Sequence, residues 1–221
     1  MTDTIHYMTV IEPVLEVTLL GKATATTWQP ILEAEGFAPP QTDKIPIIIS
    51  GTQAKYMGVS FHECSISLGI DEKRFLLIHA FNSNRFFAWT ERKLFRTPYY
   101  HAQITVEPNQ IIVSQVADPL LEVAIEPDTP IIHQADEDYR WMICLPKALR
   151  KNADMPHYFH ARLAGHTQHY APQLVHLSFG DSPNDVLSRL AKSHFEPTGW
   201  SVRMTAQHSK SKTFLGDSTD G

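Results

Sequence analysis

The stretch Asn84–His101, NRFFAWTERKLFRTPYYH, holds a helix, a stop signal and three side chains able to bind or move protons. At 100° per residue, Phe86, Phe87, Thr90 and Leu94 fall within about 100° of one another, with Trp89 at the border of that stripe. Arg85, Arg92 and Arg96 gather on the opposite side. Asn82 or Ser83 is placed to cap the helix, and Pro98 disfavours the α conformation at Thr97, which ends it. Tyr99, Tyr100 and His101 then enter a strand, where Tyr99 and His101 point one way and Tyr100 the other. A helix feeding a strand in this manner plants those three side chains at the mouth or floor of a pocket. A buried tyrosine hydroxyl needs a partner, and a neighbouring histidine can orient or deprotonate it. The alternative is an aromatic pair packed in the core beside an incidental histidine. Arg92 is the best placed of the arginines to offer a fork to a substrate carboxylate; otherwise all three form a solvated helix face.

Outward from this segment the chain is mostly short strands. The candidates are 45–49, 57–68, 74–81, 99–106, 110–116, 120–125, 139–145, 157–163 and 167–179. Asp71-Glu72-Lys73, Glu107-Pro108-Asn109 and Ala117-Asp118-Pro119 are turn signals, and three of them at this spacing read as an antiparallel meander. Two further helices are expected. One runs from Trp28 to Glu35, with Thr27 as cap, Pro30 in the first turn and Gly36 as stop. The other runs from Pro183 to Ser193, with Ser182 as cap and Asp185 three residues on; its buried face is Val186, Leu187 and Leu190. Strands dominate and helices are inserted rather than alternating. The fold class is therefore α+β and mainly β, a curled antiparallel sheet, cone- or barrel-like, with its outside covered. Residues 1–204 read as a single domain, and the polar stretch 205–221 as a mobile tail.

The bulk numbers exclude several classes. The formal net charge is −5, with Lys and Arg scattered, so a nucleic-acid partner is not expected. The apolar run Met8–Leu20 is broken by Glu12, Pro13 and Glu16, and no Lys or Arg precedes it, so no signal peptide is expected. No stretch of about 20 apolar residues exists to span a membrane. Cys64 and Cys144 lack CxxC spacing and sit in apolar runs, where they read as small buried hydrophobes. A cytoplasmic, reducing location fits. Nucleotide-binding glycine motifs and GxSxG are absent, so no cofactor is expected.

Glu63 is the leading candidate for chemistry. On its strand it shares a face with Met57, Val59 and Phe61, whereas His62 and Cys64 share the other with Ile66 and Leu68. A carboxylate behind three apolar residues lies either at the wet end of the strand or inside a pocket. Inside, loss of solvent raises its pKa and suits it to acid–base work. His62 beside it is a candidate for substrate binding. Five histidines lie in HYFHARLAGHTQHYAPQLVH, from His157 to His176. If Gly165 marks a hairpin, either Ala164-Gly165 is the turn and His160 faces His169, or Gly165-His166 is the turn and Arg162 faces His169. Neither HExxH nor HxH spacing is present, so a surface or structural role is expected rather than a metal site.

The segment Phe61–Val113 resembles the acetoacetate decarboxylase-like superfamily, most closely a branch that lacks the Schiff-base lysine. The features that carry this are Phe61-His62-Glu63 on a strand, the helix ERKLFRTP from Glu91 to Pro98, and the strand pair after it. The resemblance implies a curled β-sheet around a pocket. Decarboxylases of this family place two lysines directly after the proline. One forms a Schiff base with the substrate ketone, and the other lowers its pKa. Here those positions are Tyr99 and Tyr100, and the next lysine, Lys147, comes after a different strand. The family's carboxylate carries over to Glu63. Two readings are open. In one, Glu63 with Tyr99, Tyr100 or His101 performs acid–base chemistry on a small organic acid or carbonyl compound, without a Schiff base. In the other, the pocket of a non-catalytic protein holds an apolar or carboxylated metabolite. Self-association is plausible, because an exposed sheet edge needs a partner or a cover.

Overall fold

The computed structural model describes residues 5–115, 118–180 and 184–215. Among the described residues thirteen strands form two sheets. The larger contains β1 (Tyr7–Thr24), β2 (Lys44–Tyr56), β3 (Val59–Gly69), β4 (Arg74–Asn82), β9 (Ile131–Cys144), β10 (His157–Tyr170) and β12 (Glu196–Ser211). These seven run in the order β12-β1-β2-β3-β4-β9-β10, and pairing of β10 with β12 closes them into a ring. The short β5 (Tyr99–His101) and β13 (Phe214–Leu215) add to β4 and β10. The smaller sheet is antiparallel, in the order β11 (Val175–Phe179), β8 (Asp118–Ile125), β7 (Gln110–Gln115), β6 (Gln103–Glu107).

Period-two alternation assigns the two faces of the ring. On β1, β2 and β3 the buried residues Val17, Leu19, Ile47, Ile49, Cys64, Ile66 and Leu68 face outward. They join Ile104, Ile111, Val113, Leu121 and Val123 of the smaller sheet in one core. The two sheets approach closely at Gly51, where an added Cβ would stand 2.8 Å from Ile111 Cγ1. The other face of each strand turns into the ring. Helices α1 (Ala25–Ala34) and α3 (Asp185–Lys192) pack Trp28, Leu32, Leu187 and Leu190 into the same core. The end of α1 obeys its sequence signal: Gly36 has φ 89°, and the Gly36 and Phe37 amides bond to the Glu33 and Leu32 carbonyls, closing the helix.

The mainly-β curled sheet is present, but it is mixed rather than antiparallel. After β4 the chain crosses through helix α2 (Arg85–Thr90) and returns as β5 parallel to β4, and β9 also pairs parallel with β4. The expected meander is divided between sheets: the turn at 71–73 joins β3 to β4 in the ring, and the turn at 108–109 joins β6 to β7. Two long strands, β1 and β12, are not expected from the sequence, because proline, glutamate and serine interrupt their apolar pattern. Met57 is not a strand residue. With φ 49° it forms the two-residue Met57-Gly58 turn of a hairpin.

Gly165 is not a hairpin turn either. β10 runs straight through it, paired along its length with β9, so both hairpin registers fail; His160 faces Met142, Arg162 faces Arg140 and His169 faces His133. The glycine instead marks an irregularity in the β10–β12 pairing, where a Cβ would stand 3.2 Å from Ala206 Cα. Residues 205–211, read from sequence as tail, continue β12 between β1 and β10, where backbone pairing compensates for polar side chains. Ser182 and Pro183 lie outside the described residues; Asn184 caps α3, accepting from the Val186 and Leu187 amides. Asn184 and Asn84 play equivalent parts for α3 and α2, and neither Asn82 nor Ser83 is the α2 cap.

Candidate functional site

The inward faces of the ring strands enclose a cavity of about 420 Å³. Its walls are largely apolar, with Phe61, Phe75, Phe87, Trp141, Phe159 and Leu163 among them. One polar row in strand register, Arg203 of β12, Glu16 of β1, Thr52 of β2, Glu63 of β3 and Asn82 of β4, contributes its three middle members to the lining. Because side chains on neighbouring strands at one level share a face, register alone gathers these groups.

Glu63 sits in this row with defined partners. Asn82, fully buried, donates Nδ2 to Glu63 Oε1 at 2.7 Å. Its Oδ1 accepts the Asn84 amide at 2.8 Å, which fixes the amide so that its NH₂ faces the carboxylate. The Tyr99 hydroxyl donates to Glu63 Oε2 at 3.2 Å. Burial in the apolar cavity, reinforced by the charge of Glu91, pushes the Glu63 carboxyl up to about 7, against the opposing effects of Lys210, Asn82 and Tyr99. Tyr99 is raised well above its ordinary value by burial and by the adjacent Glu63 charge. It is thus a hydrogen-bond donor at neutral pH, while Glu63 can hold or release a proton there.

The helix that sequence reading singled out delivers Glu91. Past Thr90, α2 widens into a π-helical turn, Glu91–Phe95, ended by Arg96 in the left-handed region at φ 59°. Such turns shift the angular register of the residues beyond them, and here Phe87, Glu91 and Phe95 face the cavity. The Thr97 hydroxyl donates to Glu91 Oε2 at 2.7 Å, and Lys210 Nζ lies 2.7 Å from the same oxygen. The ammonium also lies 4.8 Å from the Phe95 ring centre and 4.9 Å from that of Phe159. The expected apolar stripe is only half correct: Phe87 and Thr90 face the cavity and Phe86 rims it. Phe86, Trp89 and Leu94 are 66%, 54% and 67% exposed, because α2 lies at the mouth with its outer side in solvent.

Of the six residues proposed from sequence, Glu63 and Tyr99 meet in the cavity. Tyr100 and His101 do not. Alternation on β5 turns Tyr100 outward, where it stacks on His79 at 4.7 Å and under Arg92 at 4.6 Å, and His101 is exposed. Arg92 is consequently outside the cavity, as is His62, which occupies the opposite face of β3 from Glu63. Of the histidines in 157–176, His166 pairs with Asp136 at 2.9 Å and His169 with Glu137 at 2.9 Å, as side-chain hydrogen-bond partners along β9 and β10. Burial pushes the thiols of Cys64 and Cys144 up to about 12 and about 11, consistent with inert packing. The residues that sequence reading missed are Glu16, Asn82, Glu91, Arg203, His208 and Lys210. The available signal was the period-two pattern Glu16-Val17-Thr18-Leu19 and the alternating His208-Ser209-Lys210.

Among the described residues no helix is long and apolar enough to cross a membrane. No protein-family model matches the chain, and no curated protein matches it by sequence. Solved structures do match. An acetoacetate decarboxylase-like enzyme from Sphingomonas wittichii RW1 superposes with a TM-score of 0.59 at 10% identity, covering 97% of this chain and 98% of that one. An acetoacetate decarboxylase gives a TM-score of 0.62 at 9% identity, with 96% and 90% covered. The acetoacetate decarboxylase of Legionella pneumophila gives 0.63 at 11% identity, with 97% and 90% covered. At such identity the likeness speaks for architecture, and over nearly its whole length this chain has the acetoacetate decarboxylase-like fold.

Proposed function

We propose that this protein is an acetoacetate decarboxylase-like enzyme that performs acid–base chemistry on a small carbonyl compound or organic acid. Glu63 transfers the proton and Tyr99 donates a hydrogen bond beside it. The observation that carries this reading is a carboxyl group held near neutrality at about 7 inside an apolar cavity, with a tyrosine hydroxyl 3.2 Å away. A base of that strength between apolar walls is matched to removing a proton from the carbon next to a carbonyl. The aromatic walls favour a substrate with an apolar body.

This chemistry involves no Schiff base. Tyrosines come after Pro98, and among the described residues the one lysine lining the cavity is Lys210, which is engaged with Glu91. An ammonium in an ion pair has no free lone pair with which to attack a ketone.

The test is solvent-deuterium exchange into the α-carbon of simple ketones, aldehydes and β-keto acids, monitored by proton NMR. Wild type is expected to catalyse exchange, and Glu63→Gln to lose it by about 100-fold or more with its fold retained. No exchange with any compound, and a change of affinity only in Glu63→Gln, would instead make this a non-catalytic binding protein. Borohydride reduction in the presence of a β-keto acid is expected to leave Lys210 unmodified. A mass increase on Lys210 would overturn the exclusion of a Schiff base.

A further inference from the structure

Glu16 lines the same cavity as Glu63, two strands away, with Thr52 between them in register. Adjacent strands are about 4.8 Å apart, so the backbones under the two carboxylates stand about 10 Å apart. Glu16 is well supplied with partners. Arg203 Nη1 lies 2.9 Å from Oε2, and the hydroxyls of Thr18 and Ser50 reach Oε1 at 2.5 and 3.4 Å.

His208 beside it is not. Its Nε2 is 4.0 Å from Glu16 Oε2, beyond hydrogen-bond distance. That nitrogen is buried and unpartnered, and so are Arg203 Nε and Ser209 Oγ. Among the described residues five buried side-chain atoms lack a partner, and these three lie within one short stretch of β12. Unmatched buried polar atoms are costly and rare. Of the three residues, His208 and Ser209 line the cavity, which brings this polar stretch of β12 to its wall.

The His208 side chain is 30% exposed although its Nε2 is not, and the ring lines the cavity. Burial, helped by the Arg203 charge and opposed by Glu16, lowers the pKa of His208 and keeps the imidazole neutral near pH 7. A neutral ring has one donor nitrogen and one acceptor. With the proton on the buried Nε2, which lies on the Glu16 side though too far for a hydrogen bond, Nδ1 would be the nitrogen able to accept from a ligand hydroxyl.

We propose that His208, backed by Glu16 and Arg203, is a second polar station of the cavity, and that the ligand is accordingly bifunctional. A carbonyl group is held at Glu63 and Tyr99, and a hydroxyl group at His208, on one apolar body between them. This rests on the carbonyl reading of the Glu63 site and adds a substrate class to it, the hydroxylated carbonyl compounds.

The test compares benzaldehyde with 4-hydroxybenzaldehyde by calorimetric titration of wild type, His208→Phe, His208→Gln and Glu63→Gln. In wild type the hydroxyl is expected to tighten binding about tenfold, the effect of one well-placed hydrogen bond. That advantage is expected to vanish in His208→Phe and to survive in part in His208→Gln, which retains an amide acceptor. Glu63→Gln is expected to weaken both aldehydes alike and to leave the advantage intact. Equal affinity of the two aldehydes in wild type, or an advantage that persists in full in both His208 variants, overturns the second station alone. Failure of both aldehydes to bind wild type overturns the carbonyl reading and the second station with it.

Discussion

Glu63 joins ordinary strand alternation to unusual chemistry. Its face of β3 was legible from Phe61, Glu63 and the contrasting Cys64, Ile66 and Leu68, and that is the face the cavity occupies. Its raised pKa was only conditionally legible, since it depends on Glu91 and on walls contributed by distant strands. The shift has a consequence for stability. A carboxyl with an ordinary value of 4.5 in the unfolded chain and about 7 in the folded one binds more proton when folded throughout that interval. Stability from this group is therefore lost as pH rises from about 4.5 to 7, by at most about 3 kcal/mol. Urea unfolding at pH 5 and pH 8 is expected to show wild type losing more stability than Glu63→Gln, by about 2–3 kcal/mol. Parallel behaviour of the two proteins would contradict the burial of an ionisable group at this position.

At the scale of the element, the segment 84–101 shows what periodicity can and cannot decide. The helix, its proline stop and the strand after it all arise from local sterics. Which side of the helix meets the cavity does not, because the π-helical turn changes the angular register and turns Glu91 inward to Lys210 on β12. The same turn sets the charge around Glu63, where Glu91 raises and Lys210 lowers its pKa. Substitutions at the two ends of this ion pair are thus expected to act in opposite directions. Glu91→Gln lowers the Glu63 pKa and Lys210→Met raises it, as read from the carboxyl carbon resonance of Glu63 during a pH titration. Shifts of the same sign would mean that the pair acts on Glu63 through packing rather than charge.

At the scale of the whole molecule, closure of the ring decides where the cavity lies and which charges it holds. Arg203 on β12 binds Glu16 of β1 at 2.9 Å and Glu137 of β9 at 2.6 Å, so one buried guanidinium ties three strands across the closure. Against burial that would raise it, hydrogen bonds from Thr167, Tyr139 and His169 keep the Glu137 carboxyl below its usual value. Removing the cation strands two carboxylates. Arg203→Met is expected to destabilise the fold by about 3–5 kcal/mol in denaturant unfolding, since a buried charge loses its partner while its desolvation remains. A loss under about 1 kcal/mol would show that the carboxylates find solvent or protons instead.

The sequence by itself determined the mainly-β composition, the positions of all three helices to within a few residues, which residues of β3 share a face and the placing of Tyr99 after a proline stop. Each of these depends on interactions between residues close along the chain: alternation, capping and the steric effect of proline. Tertiary structure alone decided that Glu16, Glu63, Glu91, His208 and Lys210 share one cavity, that Tyr100, His101, Arg92 and His62 stand outside it, and that β10 passes straight through Gly165. Those outcomes depend on strand order, register and closure between segments as much as 187 residues apart, as with Glu16 and Arg203. Nothing in the local pattern of either strand specifies its partner. Backbone pairing also held polar stretches such as 205–211 in a strand that their side chains alone would not have built.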